Sequence, residues 1–249
     1  MKNTKFSQID EDATCSELTY QDFEPHDYKE YPKIFSRNDF LRQVRRTVNG
    51  VPVSQEDIDR IVSSIDINLD LCAEDRVLDI GCGNGHLSSP LYSKVKRWVG
   101  FDSSEYLISV ATEFYGVEER VEFITQSVDQ LGESVSAYEE SSKVLCYGVL
   151  AYLTQSEVAR VLDQISNCLK SVERIYIGNI PDRDLINFFD PNYKVDPLCE
   201  RSQIGRWWTS NEIKEVAKSN GNWEVDFIKM PEEFYASKYR FDVLLRRKI

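Results

Sequence analysis

Phe40, Leu41 and Val44 recur at helical spacing, so residues 38–47 are expected to form a helix that breaks at Asn49-Gly50, ahead of Pro52. Ser54 then caps a second helix whose apolar face is Ile58, Ile61, Val62 and Ile65. From residue 76 the rhythm changes. Short apolar runs at 76–80, 95–101, 121–125, 143–147 and 174–178 read as strands, separated by helical stretches at 87–94, 105–114 and 157–169. The last of these opens with the capping box Thr154-x-x-Glu157. Repeated strand–helix–strand units require a parallel sheet with helices on both faces.

The end of the chain departs from that rhythm. Residues 181–206 are irregular, with Pro181, Pro191 and Pro197, and lead to Trp207-Trp208. A second capping box, Thr209-x-x-Glu212, opens a helix that Gly221 closes. Strand-like runs at 223–229 and 238–246 follow, and their short connection suits antiparallel pairing. The expected fold is α/β: a doubly wound, mostly parallel seven-stranded sheet with an antiparallel C-terminal strand and an N-terminal helical cap. Residues 1–24 read as a flexible tail and 25–249 as a single domain. Within it, 25–72 form the cap and 181–222 a lid-like insertion.

Composition narrows the function. Forty-two acidic residues against thirty basic ones give a net charge of -12, the reverse of what neutralising phosphates requires. Long nucleic acid is therefore not an expected partner. The longest nearly uninterrupted apolar run, 144–153, is half of the roughly 20 residues a membrane-spanning helix needs, so no membrane insertion is expected. The N-terminus lacks the apolar stretch of a secretory signal. None of the six cysteines lies in a C-x-x-C spacing, which points to reduced thiols in a cytoplasmic protein and to no metal site. No pattern specifies an oligomeric state.

The richest segment is VLDIGCGNG at 77–85, a buried strand running into Gly81, Gly83 and Gly85. Glycine there permits positive φ and lets bare backbone approach a ligand. Open parallel sheets bind ligands at the carboxyl ends of their strands, where this loop lies. Asp79, at the end of that strand, is placed to accept from an ammonium group. Asp102 ends the second strand and is placed to accept from both hydroxyls of a ribose. A tight strand-to-helix turn flanked by two solvated acids is the bland alternative. A dinucleotide fingerprint would need its third glycine at 86, where the chain has His86.

With this loop and Asp102, the chain resembles the class I S-adenosylmethionine-dependent methyltransferases over about residues 75–180. FLRQVRRTVNG, at 40–50, is similar to an uncharacterised bacterial subgroup acting on small molecules. The resemblance implies S-adenosylmethionine as cofactor. It implies that Gly81, Gly83 and Gly85 line its methionine portion and ribose, with Asp79 at the amino group and Asp102 at the ribose hydroxyls, and that Cys82, Ser103 and Val128 also belong to the cofactor site. Ser127 would face the adenine, and Tyr147 and Gly148 would border the sulfonium. Ser127 stands where family members often carry an acid for the adenine amine.

The implied reaction is methyl transfer to an oxygen or nitrogen of a small-molecule acceptor, with a sugar or surface-polysaccharide precursor as one candidate. A hydroxyl acceptor needs a base, and the chain has only two histidines. Candidates on the acceptor side are His86, at an expected helix start whose dipole disfavours protonation, Tyr152, just past the fourth strand, and Arg240, suited to an anionic acceptor. Each has an ordinary counterpart: a helix-start residue, a packed aromatic and a surface ion pair. Trp207 and Trp208 are candidates to wall the acceptor pocket, one of them more naturally a core residue. A non-catalytic scaffold that keeps the cofactor fold is the alternative function.

Overall fold

The computed structural model describes residues 28–134, 138–189 and 205–248. Its seven-stranded sheet is built from β1 (Arg76–Ile80), β2 (Arg97–Asp102), β3 (Val121–Thr125), β4 (Lys143–Tyr147), β5 (Arg174–Pro181), β6 (Trp223–Ile228) and β7 (Arg240–Arg247). The strand order is β3-β2-β1-β4-β5-β7-β6. The first five strands are parallel, and β7 runs antiparallel to both β5 and β6. The expected fold class is therefore present, with the order reversing between β1 and β4. That switch point is where an open α/β sheet offers a crevice.

Alternation along the strands sorts side chains to two faces. In β1, Leu78 and Ile80 pack with Val158, Leu162 and Ile165 of α4 (Gln155–Cys168) and Ile213 and Val216 of α5 (Ser210–Ser219). Val77 faces the other way, into a cluster with Leu145, Tyr176 and Ile61, Ile65 and Leu69 of α2 (Gln55–Leu69). Burying each such side chain is worth about 1.5–3 kcal/mol, so α2 is fastened to the sheet by its apolar stripe. The expected cap over 25–72 is thus divided. Its long helix α2 is a layer of the sandwich, whereas α1 (Phe40–Gln43) and the small antiparallel ribbon Thr47–Val48 with Val51–Pro52 lie toward the glycine loop.

Both capping boxes form as expected, in α4 and α5. Elsewhere the chain corrects the reading. The helix expected over 38–47 is only four residues long, because Arg45 turns into the left-handed region (φ 52°) and Asn49 and Gly50 (φ 50° and 78°) make a hairpin turn. The helix expected over 87–94 is a 3₁₀ segment, Ser89–Lys94, with Pro90 in its first turn. A 3₁₀ helix rises about 2.0 Å per residue against 1.5 Å for an α-helix, so this short link spans more of the return from β1 to β2. Strand β2 begins at Arg97 because Val95 is buried ahead of it, and Lys96 and Arg97 donate to the Asp75 carbonyl. The expected tail 1–24 lies outside the described residues, as do residues 190–204 of the insertion.

Candidate functional site

The loop after β1 is stitched to β2. Gly81 and Cys82 donate their N–H groups to the Phe101 carbonyl (2.8 and 3.0 Å), and Gly83 N–H donates to Asp102 Oδ2 (3.1 Å). Gly81, Gly83 and Gly85 all have left-handed φ: 68°, 58° and 74°. A Cβ on Gly81 would lie 2.4 Å from Val149, and one on Gly83 3.1 Å from Val44. The loop backbone is thus met first by two half-buried valines of the chain itself. The Cys82 Sγ packs on β2, so tightly that a Cβ at Gly100 would come within 2.8 Å of it.

Asp102 ends β2 with both carboxylate oxygens directed by backbone. Oδ2 accepts from Gly83 and Oδ1 from Ser104 (2.9 Å). Burial raises its pKa, and N–H donors of Ser104, Gly83 and Ser103 oppose that rise. Ser103 therefore acts here through its backbone. Ser104 caps α3 (Glu105–Tyr115), which fixes the turn that carries Asp102. Asp79 lies beneath the loop, 2% exposed, with Oδ2 accepting from Ser88 Oγ (2.7 Å) and Trp98 Nε1 (3.3 Å). Burial pushes its pKa up to about 7, against those two hydrogen bonds.

Asn84, inside the loop, clasps the N-terminal segment. Its Nδ2 donates to the Phe40 carbonyl and to Gln43 Oε1, both at 2.8 Å. Phe40 then stacks on His86 (4.8 Å), whose Nδ1 is 2.7 Å from the Tyr115 hydroxyl. The expected helix start at His86 is absent, so no dipole acts on it; burial, then the nearby Arg46, holds its pKa below the ordinary value. Its ring contacts are with Phe40 of α1 and Tyr115 at the end of the helix that follows β2.

Arg46 is held by its backbone, N–H to the Leu41 carbonyl (2.8 Å) and carbonyl from Val53 N–H (3.2 Å). Its guanidinium lies 5.2 Å over the Tyr147 ring, and its Nη1 is buried with no hydrogen-bond partner. Tyr147 in turn covers Gly178, where a Cβ would lie 2.3 Å from the ring. Gly148 follows with φ 78° and donates to the Gly178 carbonyl (2.9 Å). Opposite it, Asn179 adopts φ 63° in a bulge of β5. Asp242 fixes that bulge, accepting from Asn179 N–H (2.7 Å) on Oδ1 and from the Tyr176 hydroxyl on Oδ2.

Arg240 Nη1 donates to the Asn179 carbonyl (2.8 Å), and among the described residues it has no carboxylate within 4 Å. The surface ion pair considered for it is therefore not formed there. Tyr152 packs edge-on against Tyr28 (5.5 Å); burial raises its pKa, and Arg45 and Arg240 oppose that. Ser127 and Val128 follow β3, half-buried, and Ser127 N–H donates to Gln130 Oε1 (3.3 Å). Asp129, two residues later, supplies an exposed acid hydrogen-bonded to Ser127, which holds its pKa below the usual carboxylate range. Trp208 is a core residue, fully buried with Nε1 on the Leu150 carbonyl (2.9 Å); Trp207 is buried beside it.

The loop, Asp79, Asp102, Tyr147 and Gly148 thus gather at the carboxyl edge of the sheet. Sequence reasoning missed Asn84, Arg46 and Asn179. The first two sat in quoted motifs, but their role depends on contacts that no local spacing reveals.

Comparison with known proteins gives the family and the fold. A methyltransferase-domain family model matches residues 77–171. A probable cobalt-precorrin-6B C(15)-methyltransferase (decarboxylating) of Methanococcus maripaludis is 32% identical over 171 residues, 67% of this chain and 87% of that protein. A crystal structure from Pyrococcus horikoshii OT3 superposes with a TM-score of 0.61 at 21% identity, covering 88% of this chain and 99% of that one. The Synechocystis magnesium protoporphyrin IX methyltransferase with bound S-adenosylhomocysteine gives a TM-score of 0.54 at 20% identity, covering 78% and 83%.

Proposed function

This chain belongs to the class I S-adenosylmethionine-dependent methyltransferases, and from that premise we propose that it methylates an oxygen or nitrogen of a small-molecule acceptor in the cytosol. When bound, S-adenosylmethionine supplies a methyl group already activated by positively charged sulfur. The residues at the loop fit such a guest. Left-handed glycines put no Cβ at three positions of the loop, and two carboxylates, each fixed by hydrogen bonds, suit a ligand carrying an ammonium and a ribose.

In this reading Asp79 holds the ammonium through Oδ1, since its two internal bonds both fall on Oδ2. Asp102 takes the ribose hydroxyls, Ser127 and Val128 border the adenine, and Tyr147 and Gly148 border the sulfonium. The chain's own contribution to transfer is alignment and exclusion of water, and orientation alone supplies several kcal/mol. Tyr152 and Arg240 stand on the acceptor side. His86, occupied by Phe40 and Tyr115, braces the loop.

The observation that carries the reading is the Asp102 carboxylate, locked by Gly83 and Ser104 beside three left-handed glycines. The relatives named for cobalt-precorrin-6B and magnesium protoporphyrin IX favour a small-molecule acceptor, and a sugar precursor stays a candidate without support from them. The test is transfer of labelled methyl from S-adenosylmethionine into size-fractionated cell extract. Label in the small-molecule fraction supports the proposal, and label confined to RNA or protein overturns it. Cofactor binding with no transfer into any fraction would instead favour the scaffold.

A further inference from the structure

We propose that the acceptor carries an anionic group, a carboxylate or phosphate, received between Arg46 and Arg240 at the carboxyl ends of β4 and β5; this rests on the methyltransferase reading above. Most arginines of this acidic chain find an acid: Arg37, Arg42, Arg60, Arg76, Arg97, Arg174, Arg183, Arg206 and Arg246 each have a carboxylate within 4 Å. Among the described residues Arg46 and Arg240 have none; nor do Arg120 and Arg160, which are exposed, or Arg247, whose guanidinium is taken up by main-chain carbonyls at the end of α4, whereas Arg46 and Arg240 are half-buried and left without such a set of partners.

They also stand at one place. Arg46 lies over the ring of Tyr147, that ring covers Gly178, and Arg240 bonds the carbonyl of the next residue, Asn179. Both arginines bear electrostatically on Tyr147 and Tyr235, which agrees with a shared location. The acid nearest Arg240 in effect, Asp242, gives its two oxygens to Asn179 N–H and the Tyr176 hydroxyl and does not pair with the guanidinium.

Arg46 is the sharper signal. Its Nη1 is buried without a partner; Arg76, Arg97 and Arg206 each also bury an unpartnered Nε, but their guanidinium groups reach a carboxylate, which that of Arg46 does not among the described residues. Its backbone is pinned on both sides and its guanidinium rests on an aromatic face, so the fork is held in place before any ligand arrives. Two guanidinium groups at one site match the geometry of a carboxylate or phosphate, each able to accept paired N–H bonds. An anchored anion would fix the acceptor while its nucleophile, elsewhere on the molecule, is aligned for transfer.

The test uses the full chain saturated with S-adenosylhomocysteine, titrated by calorimetry with inorganic phosphate and, separately, with citrate at low ionic strength. Saturable binding of either anion is expected, and the preferred one tells phosphate from carboxylate. Arg46→Gln and Arg240→Gln should each weaken that anion by about tenfold or more while leaving S-adenosylhomocysteine affinity within about twofold, which also reports that the variants are folded. No saturable anion binding, or binding unchanged in both variants, overturns the proposal. So does a loss of about tenfold or more in S-adenosylhomocysteine affinity in Arg46→Gln, because the guanidinium would then serve the cofactor's own carboxylate. Failure of the unaltered protein to bind S-adenosylhomocysteine would strike the methyltransferase reading itself.

Discussion

Cofactor binding should expel a proton from Asp79. Its carboxyl is buried beneath the glycine loop and titrates near 7, because two hydrogen bonds do not offset the loss of water. A group titrating there is protonated to about 0.9, 0.5 and 0.1 at pH 6, 7 and 8. Pairing with an ammonium requires the ionised form, so S-adenosylhomocysteine should release protons in roughly those amounts as it binds. Calorimetry in buffers of different ionisation heat at the three pH values measures the release directly. Asp79→Asn should bind more weakly and lose the pH-dependent release. A release near zero throughout, or one that persists in Asp79→Asn, would refute this role. The same shift has a stability consequence. The folded protein without ligand holds a proton at Asp79 that the unfolded chain has lost, so this contribution is fully present below about pH 4 and disappears as pH rises through about 7. Asp79→Asn removes that pH dependence, with a ceiling of roughly 4 kcal/mol in its favour at pH 8, read by urea unfolding at pH 5 and 8.

Two further predictions concern the loop and its clasp. Gly81→Ala forces a side chain into φ 68° and within 2.4 Å of Val149, and should cost about 2–4 kcal/mol in thermal or urea unfolding; a near-neutral effect would mean the loop is not held in this shape. Asn84→Ala leaves Gln43 Oε1 and the Phe40 carbonyl without their donor, and should cost about 1–3 kcal/mol and speed proteolysis within residues 28–53; unchanged cleavage would show that the clasp does not hold that segment.

Local signals carried most of the fold. The apolar runs of β1 and β4, Thr154-x-x-Glu157 and Thr209-x-x-Glu212 are complete within a few residues, and each appears where its chemistry places it. The misreadings arose where distant contacts decide. Phe40, Leu41 and Val44 keep helical spacing, yet their helix stops after one turn because Asn84 and the left-handed Arg45 dock the segment on the loop. His86 resembled a helix start because a 3₁₀ link and an α-helix share apolar spacing over so short a span. The glycine loop and Asp102 were legible because they are sequence neighbours of strand ends. Arg46 and Asn179 were not, since a guanidinium without an acid and a bulge pinned by Asp242 exist only once β4, β5 and β7 are assembled.

The central claim is that Asp102, held by two backbone donors beside the glycine loop, grips the ribose of S-adenosylmethionine. The most direct measurement is the calorimetric affinity of Asp102→Ala for S-adenosylmethionine, with Asp102→Asn alongside to keep one acceptor for the loop and thermal unfolding to confirm that both variants fold. The account predicts that the alanine variant loses about 2–3 kcal/mol, a factor of roughly 30–150 in affinity, with asparagine in between. Wild-type affinity in a folded Asp102→Ala protein would contradict it.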